Sequence, residues 1–308
     1  MGHRRVSLVG FVKQGAGLLN HSEKITKLAG KAITEFDMIR EGDRVAVGLS
    51  GGKDSMTLLH ALLALQRRAP IEFEIVAFTI EQGKFLRPLD AMREHLAALG
   101  VRWEVVADAA SVRLVEQNIE HGCDVCSRYR RRAVYETVRR LGCRTIAFGH
   151  TADDFAEAMV RNLIFTGRVK PLPPVAISSK QEFRLIRPLM YVREEMIRAH
   201  ATAENFPIVP CACSMKETTR QTMRAFLDQL AADNPHIYSN IVAAGVRTWR
   251  ERHPEGEEQD SRFDTGAEPD AELKSALIRM AEQSSDREPR PGKPARTGHP
   301  TFSSGSLG

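Results

Sequence analysis

Short apolar runs alternate with longer segments of helical periodicity over most of the chain. Runs rich in β-branched and aromatic residues predict strands at residues 45–49, 73–80, 102–106 and 145–149. Apolar residues spaced three or four apart predict helices at residues 56–65, 89–99, 112–119, 127–141 and 153–165. Because strands that alternate with helices pair in parallel, the pattern predicts an α/β fold, a doubly wound parallel sheet with helices on both faces.

The segments outside this alternation have other patterns. Residues 21–39 predict one amphipathic helix, and residues 1–20 have no clear periodicity. After a proline-rich connection, the pattern predicts a hairpin through Gln181, helices at 192–205 and 217–231, and an extended, proline-bracketed segment at 206–211. We therefore expect three regions: a helical lead-in at 1–40, the main domain at 41–250, and a polar, disordered tail at 251–308 with one helix near 271–283.

The composition is that of an ordinary globular protein. Of the 308 residues, 42% are hydrophobic, and the formal net charge of +5 suits a polyanionic partner. No apolar run approaches the roughly 18 residues that a membrane span needs, and the N-terminus lacks an apolar signal stretch, so we expect a cytoplasmic protein without a membrane partner. Five cysteines, an odd number, indicate metal ligands, redox groups or buried residues instead of a disulfide framework.

The first predicted strand ends in a turn of small residues, Ser50-Gly51-Gly52-Lys53-Asp54-Ser55, before a helix begins. Paired glycines let the backbone approach a ligand, and the N–H groups of the next helical turn point towards it. Because Lys53 adds a positive charge, the predicted ligand is a phosphate; the alternative is a tight turn without a ligand. The turn is not a Walker A loop, since Val47 replaces its first glycine and Asp54 its Ser or Thr. A carboxylate beside the lysine indicates that Mg²⁺ shares the site.

Four of the five cysteines form two pairs. Cys123 and Cys126 stand three positions apart at a helix start, where the helix N-terminus and nearby arginines favour thiolates. Cys211 and Cys213 follow a proline in a turn. Together the pairs allow zinc with four thiolates or an iron–sulfur cluster with three or four, whereas the first pair alone would equally fit a redox motif. Cys143 begins an apolar strand, and we expect it to be buried.

A histidine and two carboxylates follow the fourth predicted strand in Gly149-His150-Thr151-Ala152-Asp153-Asp154. The carboxyl ends of parallel strands lie at one edge of the sheet, where α/β proteins bind ligands. His150, Asp153 and Asp154 are therefore predicted to reach the phosphate or a metal ion. Taken singly, Asp153 would fit a helix cap and His150 a structural histidine.

The helix after the first cysteine pair is rich in arginine. It and its exit contain Arg128, Arg130, Arg131, Arg132, Arg139, Arg140 and Arg144. Charge runs are usually solvated faces, but this one has few acids, and Tyr129 and Tyr135 offer stacking surfaces for unpaired bases. The pattern favours a structured RNA as the partner over DNA.

The loop Ser-Gly-Gly-Lys-Asp-Ser resembles the pyrophosphate loop of the ATP pyrophosphatases. With Cys-x-x-Cys-Ser-Arg-x-Arg-Arg, Gly-His-x-x-Asp-Asp and Phe-Pro-Ile-Val-Pro-Cys following in that order over about residues 22–245, the chain resembles the TtcA family of tRNA 2-thiocytidine synthetases. The resemblance implies a PP-loop fold of the adenine nucleotide alpha hydrolase type. It also implies ATP- and Mg²⁺-dependent thiolation of cytidine 32 in the tRNA anticodon loop, with a 4Fe-4S cluster held by three cysteines.

The resemblance also implies roles for the residues of this chain that match the family's motifs. The resemblance implies that the ATP phosphates bind the six loop residues, Ser50, Gly51, Gly52, Lys53, Asp54 and Ser55. It implies cluster ligation by Cys123, Cys126 and Cys211, with Cys213 as the alternative third ligand. The family's last motif is usually Pro-Cys-x-x-Cys, and this chain has Pro-Cys-Ala-Cys, so Cys211 is preferred because it follows the proline directly. Arg132 stands where the family commonly has a glycine.

These observations lead to a hypothesis about mechanism. The predicted catalytic residues are Lys53, Asp54, His150, Asp153 and Asp154, with Mg²⁺ shared by Asp54 and one of the two later aspartates. The C2 oxygen of a tRNA cytidine is adenylated and then replaced by sulfur through the iron–sulfur cluster. The expected partners are tRNA and a sulfur donor such as a cysteine desulfurase, and a homodimer is compatible with this assignment.

Three alternatives use the same residues differently. A 2-thiouridine-forming tRNA thiolase shares the loop and the central cysteine pair, but such relatives often add terminal zinc-binding cysteine pairs, which this sequence lacks. A PP-loop tRNA-modifying ligase with a nitrogen nucleophile would leave the cysteine pairs without a role. A zinc-stapled RNA-binding protein with a vestigial loop is disfavoured by the intact Lys53 and Asp54.

Overall fold

Strands and helices alternate along the chain in the order that the hydrophobic pattern predicts. The computed structural model describes the backbone of residues 9–116, 123–178, 182–212, 219–254 and 258–259, and the side chains of residues 21–113, 128–178, 182–212 and 222–254. The strands are β1 (Arg44–Gly48), β2 (Glu74–Glu81), β3 (Trp103–Ala107), β4 (Thr145–Ala147), β5 (Val175–Ile177), β6 (Arg184–Ile186) and β7 (Glu258–Gln259). The helices are α1 (Val9–Glu35), α2 (Lys53–Gln66), α3 (Asp90–Ala98), α4 (Ala109–Glu116), α5 (Cys123–Arg140), α6 (Ala152–Thr166), α7 (Glu194–Ala203), α8 (Thr219–Asp233) and α9 (Ile237–Arg252).

The described strands form one sheet in the order β3-β2-β1-β4-β6-β5-β7. Strand β1 pairs in parallel with β2 on one side and with β4 on the other, so the connections leave it in opposite directions. Among the described strands, only β5 and β6 pair antiparallel, as the predicted hairpin requires, and the turn at Gln181 lies outside the described residues. The predicted α/β class is confirmed. The switch in strand order places the ends of β1 and β4 side by side, where ligands bind in such folds.

Alternate residues of β1 enter different cores, because side chains of a strand point to opposite faces in turn. Val45 and Val47 pack in the larger core, which also contains apolar side chains of α1, α2 and α7. Ala46 packs in a second core with Val134 and Val138 of α5. Helices therefore cover both faces of the sheet, and β1 is buried between them.

Two helices differ from the sequence-based prediction. Helix α1 begins at Val9, well before the predicted start at residue 21. Helix α9 was not predicted, although its buried residues recur at helical spacing: Tyr238, Val242, Gly245, Val246 and Trp249. The T-shaped contact of Trp249 with Phe36, at 5.6 Å between ring centroids, fixes α9 against the end of α1.

The described chain contains no helix with both the length and the apolarity needed to cross a bilayer. Residues 251–254 and 258–259 of the predicted tail are described, and β7 pairs with β5 there. The remainder of the tail, with the helix predicted near residues 271–283, lies outside the described residues. The predicted domain boundaries at residues 40 and 250 stay predictions.

Candidate active site

The glycine turn between β1 and α2 can be built only from glycine at its tightest point. Gly51 has φ of +79°, and a Cβ atom there would lie 2.5 Å from the carbonyl oxygen of Val209. Helix α2 follows, and Gly52 at its N-cap supplies no side-chain cap. The positive end of the α2 dipole therefore faces the turn, which suits an anion such as a phosphate.

The two serines of the loop are joined to each other. The Ser55 hydroxyl donates to the Gly52 carbonyl at 2.9 Å and accepts the Ser50 backbone N–H at 3.2 Å. Ser55 is 5% exposed, so its hydroxyl closes the loop from inside. The structure thus places all six predicted loop residues in one turn and gives Ser55 a role in holding its shape.

The turn after β4 lies against the glycine loop. A Cβ atom on Gly149 would lie 3.0 Å from the carbonyl carbon and oxygen of Asp54 and 3.1 Å from the Ser55 nitrogen. This close approach brings the predicted His150 turn and the predicted phosphate loop to one place. His150 itself is half-buried and makes a T-shaped ring contact with Phe148, at 5.9 Å between centroids.

The extended segment after α7 is tied to the loop by its backbone. The Val209 N–H donates to the Gly51 carbonyl at 2.9 Å, which explains the space that Gly51 must leave open. On the other side, the Leu86 N–H donates to the Pro210 carbonyl and the Ala212 N–H to the Lys84 carbonyl, both at 2.9 Å. Main-chain hydrogen bonds therefore flank Cys211, holding it between the glycine loop and the segment after β2.

A cavity of about 700 Å³ opens between these parts. The residues that carry its chemistry are Ser50, Gly52, Lys53, Asp54, Arg198 and Cys211. Phe206, Ile208 and Val209 provide an apolar side. One chamber thus contains the predicted phosphate loop together with a predicted cluster cysteine.

Lys53 is held by two carboxylates. Its Nζ atom lies 2.8 Å from Glu194 Oε1 and 3.3 Å from Asp54 Oδ1. Burial by itself lowers the pKa of Lys53, but the charges of Asp54 and Glu194 outweigh burial and leave the pKa above its ordinary value. The lysine is therefore fully charged at neutral pH.

Asp54 is the carboxylate best suited to a cation in this site. Burial raises the pKa of Asp54, and the charges of Glu194 and Asp154 act in the same direction, against the opposing effect of Lys53. Its buried Oδ1 atom lies 3.3 Å from Lys53 Nζ in an ion pair, but it accepts no hydrogen bond within the described part of the chain. A buried acceptor beside a phosphate loop fits Mg²⁺, which binds carboxylate and phosphate oxygens together.

The carboxylate of Asp153 is hydrogen-bonded to the start of α7. It is 5% exposed and accepts hydrogen bonds from the Glu194 backbone N–H at 2.7 Å and from Arg193 Nε at 3.2 Å. The Arg193 guanidinium also lies 3.7 Å from the ring centroid of Tyr238. Burial raises the pKa of Asp153, although these donors oppose it. Asp153 therefore caps the start of α7 and anchors it to α6.

Asp154 closes the start of α6. It accepts the Thr151 backbone N–H at 2.8 Å in a capping box and pairs with Arg224 Nη2 at 2.7 Å. Burial would raise the pKa of Asp154, but His150, Thr151 and Arg224 together lower it below its ordinary value. The carboxylate is therefore ionised, and catalytic roles for Asp153 and Asp154 stay predictions.

Glu194 and Arg224 belong to the site, although no sequence pattern indicates them. Arg224 of α8 pairs with both Glu194 and Asp154, and Glu194 pairs in turn with Lys53. Burial favours the neutral form of both side chains, but the nearby opposite charges outweigh it. Lys53 and Arg224 lower the pKa of Glu194, and Asp154 and Glu194 raise the pKa of Arg224. A glutamate in the first turn of one helix and an arginine on another are ordinary surface residues in a sequence, so only the fold shows that they meet.

The predicted cluster ligands are described to different extents. Cys123 and Cys126 lie in the first turn of α5, as predicted, but their side chains and all of Cys213 lie outside the described residues. Cys143 is buried, and burial raises its pKa to about 11, which confirms the expected buried thiol. Among the side chains that the structure describes, no group of three His, Cys, Asp or Glu residues is arranged to hold a metal ion.

Part of the arginine-rich surface of α5 is neutralised. Arg132 forms an ion pair with Glu136 at 2.7 Å, Arg139 with Glu182 at 2.5 Å and Arg140 with Glu104 at 2.5 Å. Tyr135 stacks on Phe183 at 4.9 Å within the second core. Tyr135 is partly buried, and Phe183 covers one face of its ring, so its role as a stacking surface for bases stays a prediction.

The chain is similar to proteins of one known family. The PP-loop domain family matches residues 20–227. A tRNA-cytidine(32) 2-sulfurtransferase of Syntrophotalea carbinolica is 38% identical over 228 residues, 72% of this chain and 87% of the relative. One from Alkalilimnicola ehrlichii is 40% identical over 235 residues, 75% of this chain and 74% of the relative.

Among solved structures, the U34-tRNA thiolase NcsA from Methanococcus maripaludis with its 4Fe-4S cluster has a TM-score of 0.59. Its sequence identity is 22%, and the match covers 73% of this chain and 78% of NcsA, so it supports the fold alone. The family match and the sequence identity to the curated relatives show the family as well as the fold. The chain belongs to the PP-loop domain family, among the tRNA-cytidine(32) 2-sulfurtransferases.

Proposed function

We propose that this protein is an ATP-dependent tRNA thiolase that replaces the C2 oxygen of a cytidine, at position 32, with sulfur. The names of its curated relatives support the reaction and the base. The observation that carries the proposal is the shared cavity, which Lys53 and Asp54 line together with Cys211. Activation by ATP and delivery of sulfur would then occur in one chamber, without transfer of an intermediate through solvent.

The loop residues bind and orient ATP. The Gly51–Gly52 backbone and the positive end of α2 would hold the pyrophosphate portion, and Lys53 would neutralise charge that develops on it. The C2 oxygen of the base forms a bond to the α-phosphorus, and the bond from that phosphorus to the bridging oxygen breaks to release pyrophosphate. The base is then activated as an adenylate.

Mg²⁺ would be held by Asp54, whose Oδ1 atom lies 3.3 Å from Lys53 Nζ but accepts no hydrogen bond from the described residues. The ion supplies charge stabilisation for the leaving pyrophosphate when bound. Asp154 and Glu194 would not be needed as ligands, because Arg224 pairs with both. Asp154 instead holds Arg224 in position, and Glu194 pairs with Arg224 and with Lys53, from which a bound phosphate would displace it.

The cluster would be held by Cys123, Cys126 and Cys211, with Cys213 as the alternative third ligand. A thiolate set of this size fits a 4Fe-4S cluster, and a cluster with three protein ligands supplies sulfur transfer when bound. Sulfur from an external donor bonds to C2, the bond from C2 to the adenylated oxygen breaks, and AMP leaves with that oxygen. The flanking main-chain hydrogen bonds of Cys211 keep this end of the cavity fixed during transfer.

A reconstituted reaction tests this proposal. Protein with its cluster assembled anaerobically is mixed with unmodified tRNA, ATP, Mg²⁺ and sulfide, and pyrophosphate, AMP and thionucleosides are measured together. We expect equal amounts of pyrophosphate, AMP and 2-thiocytidine, and a fall of roughly 100- to 1,000-fold in rate for Lys53→Ala. The control is Lys31→Ala, which changes a lysine on α1 beside Tyr191. Thiolation that continues without ATP, or that survives Lys53→Ala, would contradict the proposal.

A further inference from the structure

A second cavity lies at the far end of α6. It has a volume of about 550 Å³ and is lined by residues 167–171 together with Trp249, Arg252 and His253. Helix α6 begins at Ala152 beside the candidate active site and runs for 15 residues to Thr166. At 1.5 Å per residue, this cavity lies roughly 20 Å from the active site along the helix.

The loop that forms one wall is preorganised. Gly167 ends α6 in the left-handed conformation with φ of +64°, a conformation that favours glycine. The Asn162 side-chain amide donates to the Lys170 carbonyl at 2.6 Å, which ties the loop back to α6. A Cβ atom on Gly245 would lie 3.2 Å from Pro171 Cβ, so α9 packs closely against the same loop. Both walls are therefore held in place.

The cavity is cationic. Arg168, Lys170, Arg252 and His253 line it, and the described lining contains no carboxylate. Arg168 and Arg252 are exposed. Ion pairs hold other arginines of this region, such as Arg250 with Glu35 at 2.7 Å, whereas none within the described chain involves Arg168 or Arg252. Two solvated guanidinium groups on separate elements thus face one cavity.

Trp249 and His253 line the cavity with stacked rings. Trp249 is 2% exposed, and its indole N–H is buried without a hydrogen-bond acceptor among the described residues. The His253 ring stacks on the Trp249 ring at 5.7 Å, and His253 Nδ1 lies 2.9 Å from the Trp249 carbonyl oxygen. An anion with several oxygens can accept hydrogen bonds from Arg168 and Arg252 together.

We propose that this cavity binds a backbone phosphodiester of the tRNA whose base enters the active site. The inference rests on the proposed function and extends it to a second contact. Cations that hold phosphates set the position and orientation of a nucleic acid, and a folded RNA can reach two sites roughly 20 Å apart along α6. A single ATP molecule bound at Lys53 cannot reach the cavity at the far end of α6 as well. The contact would orient the tRNA so that its target base enters the cavity beside Cys211.

A double variant, Arg168→Ala with Arg252→Ala, tests the contact. Binding of unmodified tRNA is measured at several salt concentrations, with ATP affinity and thermal unfolding measured on the same samples. Loss of two phosphate contacts is expected to weaken tRNA binding by about tenfold and to reduce the salt slope of the binding constant by roughly one per contact. ATP affinity and the unfolding temperature are expected to stay unchanged. The matched control is Arg247→Ala, an exposed arginine of α9 outside this cavity lining.

Each other result has a distinct meaning. If the wild-type protein thiolates tRNA while the double variant binds it with the same affinity and salt slope, the phosphate contact is wrong and the proposed function stands. If Arg247→Ala weakens tRNA binding equally, the effect comes from net charge alone, and the proposed phosphate site is wrong. A parallel loss of ATP affinity would make the cavity a nucleotide site. If the wild-type protein binds no tRNA, the proposed function fails, and this contact fails with it.

Discussion

Lys53 and Glu194 form an ion pair across the candidate active site, with Nζ 2.8 Å from Oε1. One residue begins α2 after the glycine turn, and the other begins α7. A pyrophosphate that binds Lys53 must therefore compete with Glu194. Arg224 also pairs with Glu194 and with Asp154, so the charge of Lys53 is coupled to helices α6 and α8.

Replacing Glu194 with Gln is expected to tighten ATP binding. The change removes the competitor for Lys53 and a negative charge close to the phosphates, and a partly exposed pair of this kind contributes about 1 kcal/mol, or roughly fivefold in affinity. Calorimetric titration with ATP measures the effect. The matched control is Glu195→Gln, an exposed glutamate in the same helical turn, for which no change is expected. Weaker ATP binding by the Glu194 variant would show that Glu194 supports the phosphate site.

Two glycine substitutions separate backbone strain from steric conflict. Gly42 and Gly51 both have left-handed φ angles, +75° and +79°, but a Cβ at Gly42 meets nothing within 4 Å whereas one at Gly51 meets the Val209 carbonyl oxygen at 2.5 Å. We expect Gly42→Ala to lower the free energy of unfolding by about 1 kcal/mol through strain alone. Gly51→Ala should lower it by about 2 to 4 kcal/mol and weaken ATP binding more than tenfold, because the segment at 209–211 must move.

Urea unfolding and ATP titration of both glycine variants provide the measurement. Equal losses of stability and intact ATP binding in the two variants would contradict the close contact between the loop and Val209.

Acid is expected to destabilise the protein first through buried histidines. His60 Nε2 lies 2.9 Å from His95 Nε2, and burial, aided by the charges of His95 and His200, lowers the pKa of His60 to about 4. The unfolded chain has an ordinary histidine pKa near 6.5, so between about pH 6.5 and pH 4 it binds a proton that the folded chain excludes. The free energy of unfolding therefore falls by roughly 2 to 3 kcal/mol as the pH drops through this window.

His60→Gln removes the titrating group while keeping a polar side chain. The variant is expected to lose most of this pH dependence while its stability at pH 7 changes less, as measured by urea unfolding at a series of pH values. A wild-type stability that stays constant from pH 7 to pH 4 would show that His60 is protonated in the folded protein.

Substitution of single cysteines is expected to identify the cluster ligands. Cys123→Ala, Cys126→Ala and Cys211→Ala should abolish bound iron and acid-labile sulfide after anaerobic reconstitution, and Cys213→Ala should keep both. Cys211 is preferred because it lines the cavity beside Lys53. Cys143→Ala is the control, since burial raises the pKa of Cys143 to about 11 and disfavours its thiolate. Iron retained by the Cys211 variant and lost by the Cys213 variant would reverse the assignment.

The sequence predicts the local parts of this structure well. The period of apolar residues identifies β1, β2, β3 and β4, and small residues beside a lysine identify the turn after β1, because these signals depend on neighbours in the chain. The spacing of α9 was also present, from Tyr238 to Trp249, but the polar composition that follows it obscured the helix.

The sequence does not predict which charges meet. Asp153 and Asp154 stand beside a histidine on a strand-end turn, which indicates catalysis, yet the fold pairs them with Arg193 and Arg224. Those arginines lie on distant segments, and their pairing depends on how α6, α7 and α8 pack. Asp54 is also paired, with Lys53 at 3.3 Å, but its buried Oδ1 atom accepts no hydrogen bond in the described part of the chain, which supports it as a cation ligand.

The most direct test of the central claim is nucleoside mass spectrometry of tRNA from cells with and without this protein. We expect 2-thiocytidine to disappear when the protein is removed and to return when the wild-type chain, but not Lys53→Ala, is supplied. Loss of a 2-thiouridine in its place would keep the thiolation chemistry and change the target base. Thionucleosides that are all unchanged in cells without the protein would contradict the account.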